Sequence, residues 1–165
     1  MKHILLPTDF SDNSWNAIKY AISLFKNEIC TFHLLNTYTP VVYRADYVFG
    51  SPAEFGLADV MRDTSLENLT QFTDRISETF KDNPKHKFTK LSRFNYLVSG
   101  IKEFITENKT DLIVMGTQGA TGAKEVLFGS NTVQVFKNIK CPVIAVPSHF
   151  EFEKPLEFSF LQISR

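Results

Sequence analysis

Short apolar segments alternate with longer amphipathic segments along most of this chain, and this alternation restricts its fold more than any other feature. The apolar segments have the length of strands, and the segments between them place apolar residues at helical spacing. Strands that alternate with helices form an open parallel sheet with helices on both faces. The predicted fold class is therefore α/β, with strands at residues 3–6, 31–35, 87–94, 112–115 and 142–146.

Four helices are predicted between or after these strands. The first follows Ser11, a good N-cap residue. Its buried face is predicted to carry Trp15, Ile18, Ala21, Ile22 and Phe25. The second is predicted from Leu66 to Phe80, and the third after Ser99. Residues 37–63 show no clear periodicity and contain two prolines and two glycines, so we predict a long loop or lid there.

Two of the predicted strands end in polar or glycine-containing sequence. The first leads into Pro7, Thr8 and Asp9, and the fourth leads into Gly116. Residues 87–94 mix apolar and polar side chains, which indicates a sheet edge, whereas residues 112–115 are apolar throughout, which indicates a central strand. Ligands of such sheets bind beyond the carboxyl ends of the strands, where the chain order reverses. We therefore expect a binding crevice between the first and fourth strands.

The glycines after the fourth strand point to a phosphate-binding turn. Gly116 and Gly119 are followed, after nine residues, by Gly129 and Ser130. Glycine allows the backbone to approach a ligand closely, and a helix N-terminus offers free N–H groups to an anion. Ser130 is the predicted N-cap of the fourth helix. This stretch predicts a nucleotide site.

Composition sets limits on the function. The chain has 165 residues, so one domain is expected, and 18 basic residues balance 18 acidic residues. A net charge of zero gives no electrostatic reason to expect nucleic acid or an anionic membrane as a partner. No apolar run has transmembrane length and no signal peptide is recognised, so we predict a cytoplasmic protein. Cys30 and Cys141 are expected to be reduced thiols.

Several kinds of active site lack support in the sequence. The phosphate loop that ends in Gly-Lys-Ser/Thr and the Gly-x-Gly-x-x-Gly fingerprint of dinucleotide-binding folds are both absent. The histidines show no metal-ligand spacing, and His33 is predicted to be a core or edge residue rather than a ligand. No arrangement typical of nucleophilic catalysis is present, and we expect no catalytic residue.

Three motifs in the right order make the chain similar to universal stress proteins of the nucleotide-binding type. They are Gly-x2-Gly-x9-Gly-Ser from Gly116, the sequence Ile-Leu-Leu-Pro-Thr-Asp-Phe-Ser at residues 4–11, and Cys-Pro-Val-Ile-Ala-Val-Pro at residues 141–147. The resemblance implies a Rossmann-like, adenine nucleotide alpha hydrolase-like fold with five parallel strands in the order 3-2-1-4-5. It also implies a domain at residues 1–147, ATP between strands 1 and 4, and a homodimer joined through the last strand.

The resemblance also implies which residues bind the nucleotide: Pro7, Thr8, Asp9, Leu34, Met115, Gly116, Gln118, Gly119, Gly129, Ser130, Asn131 and Thr132. Asp9 would contact the nucleoside or a Mg²⁺ ion held by the phosphates. The alternative is that Asp9 is only a turn or cap residue. Basic residues are common in the family where this chain has Ala120 and Glu125, so Lys124 is the one cation of that loop. We therefore expect weaker ATP binding than in relatives with a basic loop.

These observations predict an ATP-binding regulatory or stress-response module that forms a homodimer through Val143 to Pro147. One alternative is an interaction protein of the same fold that uses no nucleotide, and another is a slow ATPase, for which Asp9 is the evident base. Residues 148–165 are predicted to be a tail or the start of a linker. Phe150, Phe152, Phe158 and Phe160 recur there at even spacing. The tail either folds over its own domain, covers a dimer partner or begins a second domain.

Overall fold

The computed structural model describes residues 1–39, 52–118, 128–148, 150 and 152. Within them, the strands are β1 (Lys2–Pro7), β2 (Cys30–Tyr38), β3 (His86–Phe94), β4 (Leu112–Gly116) and β5 (Val143–Val146). The helices are α1 (Asp12–Leu24), α2 (Pro52–Phe80), α3 (Leu97–Glu107) and α4 (Ser130–Asn138). The strands form one sheet in the order β3-β2-β1-β4-β5, and every neighbouring pair is parallel. The predicted fold class and strand order are confirmed.

Side chains that alternate along β1 supply cores on both faces of the sheet. Ile4 and Leu6 pack in the cluster that contains residues of α1 and α2, whereas Leu5 packs in the cluster that contains residues of α3 and α4. All three are fully buried. Since β1 pairs with β2 on one side and β4 on the other, the chain order reverses between β1 and β4. A crevice forms at the carboxyl ends of strands at such a reversal.

Helix α1 agrees with its prediction in detail. Ser11 is its N-cap, and the Ser11 hydroxyl accepts a hydrogen bond from the Ser14 main-chain N–H at 3.2 Å. The five residues of its predicted inner face are all buried. The cap and the apolar face together fix where α1 begins and which side it turns toward the sheet.

The predicted loop at residues 37–63 is wrong for the parts of it that the structure describes. Residues 37 and 38 extend β2, and α2 already begins at Pro52; residues 40–51 lie outside the described residues. The early turns of α2 are exposed, with Leu57 at 51% and Val60 at 61%, so no buried stripe marks them in the sequence. Further along α2, Leu66 is also exposed, and the buried stripe runs through Ser65, Leu69, Phe72 and Ile76.

The start of the third helix also differs from the prediction. Helix α3 begins at Leu97 after the N-cap Tyr96, so Ser99 lies inside the helix and does not precede it.

In the tail, the rings of Phe150 and Phe152 pack edge-on against Tyr20 of α1, with centroid distances of 5.8 and 5.5 Å. These two described tail residues therefore fold over their own domain. Among the described helices, none combines the length and apolar character needed to cross a membrane.

Candidate functional site

A groove open to solvent lies where β1 and β4 separate at their carboxyl ends. The end of β1, the end of β4 with the turn after it, and the start of α4 supply most of its wall. The described lining residues are Pro7, Thr8, Asp9, Ser14, Thr37, Leu97, Met115, Gly116, Gln118, Asn131 and Thr132.

The end of β1 is held by hydrogen bonds from three directions. The Thr8 hydroxyl lies 2.9 Å from the Ser14 hydroxyl and accepts a bond from the Phe10 main-chain N–H at 3.0 Å. The Asn36 amide donates to the Thr8 carbonyl at 2.8 Å. Asn36 in turn accepts a bond from the Ser65 hydroxyl of α2 at 2.8 Å. Since Thr8, Ser14 and Asn36 are all buried, these bonds fix the first wall of the groove.

Asp9 forms a tight turn before α1. Its Oδ1 accepts hydrogen bonds from the Ser11 hydroxyl at 2.6 Å and from the Ser11 main-chain N–H at 3.2 Å. Phe10 has a φ of 64°, which is rare for an aromatic residue and costs about 1–3 kcal/mol. Its ring packs edge-on against Phe72 of α2, with a centroid distance of 5.2 Å. The same turn therefore presents Asp9 to the groove and docks α2 on the domain.

The start of α4 is attached directly to the end of β4. The buried Thr132 hydroxyl donates to the carbonyl groups of Gly116 and Thr117 at 3.1 Å each. The Gly129 N–H donates to the Thr117 carbonyl at 2.7 Å. Gly129 is the N-cap, without a side-chain cap hydrogen bond, and Ser130 is the first helical residue, so the prediction of Ser130 as the N-cap is wrong. The first N–H groups of a helix have no partner within it, and these lie beside the groove.

The structure brings together eight of the predicted binding residues around the groove: Pro7, Thr8, Asp9, Met115, Gly116, Gln118, Asn131 and Thr132. Gly129 and Ser130 are next to this lining in sequence but do not belong to it. Gly119, Ala120, Lys124 and Glu125 lie outside the described residues.

Leu34 is absent from the described lining of the groove, and Thr37 of the same strand lies there. The resemblance implies that Leu34 contacts adenine through its main chain, and the burial of its side chain beneath α1 and α2 does not test that contact, which stays a prediction. Thr37 reaches the groove because β2 continues to Tyr38, so its carboxyl end lies beyond Leu34. Because ligands bind beyond strand ends, the change from Leu35 to the polar pair Asn36-Thr37 was the sequence signal for Thr37.

The two thiols lie away from this groove and are free in the structure. Cys30 is the first residue of β2 and lies opposite Lys2 of β1 at the amino-terminal end of the sheet. Cys141 lies just before β5. Burial, with a smaller contribution from Asp111, raises the pKa of the Cys141 thiol to about 11. Burial also raises the pKa of Cys30. Neither thiol has the lowered pKa of a nucleophilic cysteine, and the described residues contain no cluster of three metal-ligating side chains.

The sequence and the fold were compared with known proteins. The universal stress protein family matches residues 1–147. A universal stress protein of Methanocaldococcus jannaschii is 32% identical over 148 residues, which cover 88% of this chain and 81% of that protein. The chain belongs to the universal stress protein family.

Solved structures of the family share the fold of this chain. UspA from Lactobacillus plantarum has a TM-score of 0.70 at 19% identity, with 88% of this chain and 97% of that chain covered. A family member from Arabidopsis thaliana, solved with AMP bound, has a TM-score of 0.55 at 14% identity, with 89% and 92% covered. At these identities the likeness shows the fold alone.

Proposed function

We propose that this universal stress protein is an ATP-binding regulatory module of the stress response. The observation that carries the proposal is the start of α4, which Thr132 and Gly129 attach to the end of β4 beside the groove. Asn131 and Thr132 of the first turn of α4 line the groove, and the free N–H groups of a helix N-terminus are suited to binding phosphate. The AMP-bound relative supports an adenine nucleotide as the ligand.

The groove offers different chemistry on its two sides. On the β4 side, Gly116, Asn131 and Thr132 belong to the turn and helix that would hold the phosphates. On the β2 side, Pro7, Thr37 and Leu97 offer apolar surface with one hydroxyl, which suits a nucleoside. A nucleotide would therefore cross the end of β1, where Asp9 lies. If Mg²⁺ accompanies the phosphates, it keeps most of its water ligands and takes one carboxylate, which Asp9 would supply.

The proposed module turns ATP over slowly or not at all. A hydrolase needs a base that positions the attacking water. Asp9 is the one carboxylate among the described lining residues, and its Oδ1 already accepts two hydrogen bonds from Ser11. A slow ATPase and a nucleotide-independent interaction protein remain the alternatives. Turnover above about 1 per second in a steady-state assay would favour the ATPase.

We further propose that the domain, residues 1–147, forms a cytoplasmic homodimer through Val143 to Pro147. Strand β5 is at the edge of the sheet, and Val143, Ile144 and Ala145 are only partly buried. An unpaired apolar edge strand is a template for pairing with another chain. The contacts of Phe150 and Phe152 with Tyr20 place the beginning of the tail on α1 of the same chain. Light scattering at micromolar concentration tests the dimer, and a monomer would contradict it.

The nucleotide proposal is tested by a charge placed at the start of α4. Ser130→Glu adds a carboxylate at an exposed position of the first turn, where the helix dipole favours it. The fold should survive, but the new charge should repel phosphate and weaken ATP binding by at least about tenfold. Gln134→Glu is the matched control, because Gln134 is exposed on the same helix one turn later. Calorimetry compares both with the unchanged protein, and equal ATP affinities would contradict the site.

A further inference from the structure

Gly116, the first glycine of the motif, lies close against Asn13 of α1. A Cβ atom at Gly116 would lie 2.6 Å from the Cγ of Asn13 and 3.1 Å from the Asn13 carbonyl oxygen. Gly116 lies in strand β4 and has no positive φ, so its backbone conformation is open to other residues. The absence of a side chain is required there by the closeness of Asn13, whether or not a ligand is bound.

Asn13 is a buried residue of α1 that holds two distant parts of the main chain. Its side-chain oxygen accepts a hydrogen bond from the Gln118 main-chain N–H at 2.8 Å. Its side-chain nitrogen donates to the carbonyl of Val146, the last residue of β5, at 3.3 Å. The side chain is 6% exposed, so both bonds are shielded from water. One amide therefore joins α1, the turn after β4 and the end of β5.

We propose that Asn13 is the positioning residue of the nucleotide groove. Gly116 is glycine because a side chain there would collide with the Asn13 amide. This proposal rests on the proposed function of the groove. Asn13 does not line the groove, but it fixes the turn that carries Gln118 into the wall. The Gln118 N–H is bonded to Asn13, so it serves the shape of the turn rather than the phosphates. The first glycine of the motif therefore serves the protein's own packing.

Four proteins test the proposal: the unchanged chain, Asn13→Ala, Gly116→Ala and the double variant. Asn13→Ala should weaken ATP binding at least about tenfold and speed hydrogen exchange at the Gln118 amide by a similar factor. Asn16→Ala is the matched control. Asn16 lies on the same helix, but its side-chain amide donates to the main-chain carbonyls of Pro147 and Phe150. It should leave both quantities within about twofold.

The steric part is read from unfolding by urea. In the unchanged background, Gly116→Ala should lower the urea midpoint strongly, because the new methyl group collides with the Asn13 amide. In the Asn13→Ala background that amide is gone, so Gly116→Ala should lower the midpoint much less. Equal effects in the two backgrounds would contradict the proposed reason for glycine at position 116. Asn13→Asp keeps an acceptor for the Gln118 N–H and should retain more Gln118 protection than Asn13→Ala, whereas its added charge makes ATP affinity uninformative for this variant. It also provides the comparison if the alanine variant does not fold.

The outcomes separate this inference from the proposed function. If the unchanged protein binds ATP and Asn13→Ala binds it equally well, the positioning role is wrong and the nucleotide site stands. If the unchanged protein binds no ATP, the proposed function fails, and exchange at Gln118 still decides whether Asn13 holds the turn. Unchanged exchange at Gln118 in Asn13→Ala overturns the inference in either case.

Discussion

The two ends of the sheet use their buried polar side chains in different ways. At the carboxyl end, the side chains of Asn13, Asn36 and Thr132 each bond to at least one main-chain group, although Asn36 also accepts from the Ser65 hydroxyl. Nearer the amino end, buried His33 of β2 lies opposite Leu5 of β1, and its partners are other side chains. Its Nε2 lies 3.2 Å from the Nδ1 of His3, and its Nδ1 lies 2.7 Å from the hydroxyl of Thr89.

This difference explains why one end suits a ligand. Side chains that bond to main chain fix the position of the strand ends and helix starts, and these surround the open groove. The histidine pair joins β1, β2 and β3 beneath Phe104 of α3, where it fills the core. Substitutions at the carboxyl end should therefore change ligand binding together with stability. Substitutions at the amino end should change stability and its pH dependence alone.

The largest effect is expected for Asn36→Ala. This change removes the donor to the Thr8 carbonyl and the acceptor of the Ser65 hydroxyl, all of them buried. Ser65 keeps its bond from the Ser92 hydroxyl, but the Thr8 carbonyl loses the Asn36 donor in a buried site, which should lower the free energy of unfolding by about 1–3 kcal/mol. ATP binding should weaken as well, because Thr8 lines the groove.

Urea unfolding and calorimetry measure the two effects of Asn36→Ala. The control is Asn138→Ala, which removes an exposed amide at the end of α4 and should change stability by no more than about 0.5 kcal/mol. If Asn36→Ala destabilises the protein but leaves ATP affinity unchanged, the polar contacts at the carboxyl end are structural only.

A smaller effect is expected for Thr132→Val, which keeps the shape of the side chain and removes its hydroxyl. The carbonyl groups of Gly116 and Thr117 then lose this donor, although Thr117 keeps its bond from the Gly129 N–H. We expect a loss of about 1 kcal/mol in stability and a measurable fall in ATP affinity. Thr106→Val, at an exposed site on α3, is the control. Equal ATP affinities in the two variants would break the link between this hydroxyl and the groove.

The parts of the fold that the sequence predicted are those encoded locally. Apolar strands alternating with amphipathic helices are sufficient for the parallel sheet, and Ser11 with its following apolar face is sufficient for α1. The exposed beginning of α2 was missed because helical periodicity reports burial, and Leu57 and Val60 are exposed. Ser65 was missed for the opposite reason, since a polar residue occupies a position on the buried stripe.

The site was only partly predictable because its supporting contacts join residues far apart in sequence. Asn13 and Gln118 are 105 residues apart, and Asn13 and Val146 are 133 apart. No spacing pattern reveals such a pair in a single sequence. The glycine motif predicted a turn after β4, but its spacing could not show that Gly116 leaves room for a side chain from α1. Thr37 was missed because β2 extends beyond its predicted end, and strand boundaries are set by pairing with neighbouring strands.

The smallest effect is expected at the amino end, as a dependence of stability on pH. Burial, and to a lesser extent the neighbouring His3, lowers the pKa of His33. As the pH falls, the unfolded chain therefore takes up this proton before the folded protein does. The contribution of His33 to stability is complete above its unfolded pKa of about 6.5 and declines below it. A difference of one bound proton between the folded and unfolded states changes the free energy of unfolding by about 1.4 kcal/mol per pH unit. The two states of His33 differ by less than one proton, so the expected change is smaller than this.

Urea midpoints at about pH 7.5 and about pH 5.5 measure this dependence in three proteins. His33→Gln should flatten the difference between the two midpoints, because the titrating group is gone. His3→Gln should keep most of the difference, since burial is the larger cause of the lowered pKa. ATP affinity at about pH 7.5 should be the same in all three, because neither histidine lines the groove. A change in that affinity would contradict the separation between the two ends of the sheet, and an unchanged pH dependence in His33→Gln would remove His33 as its source.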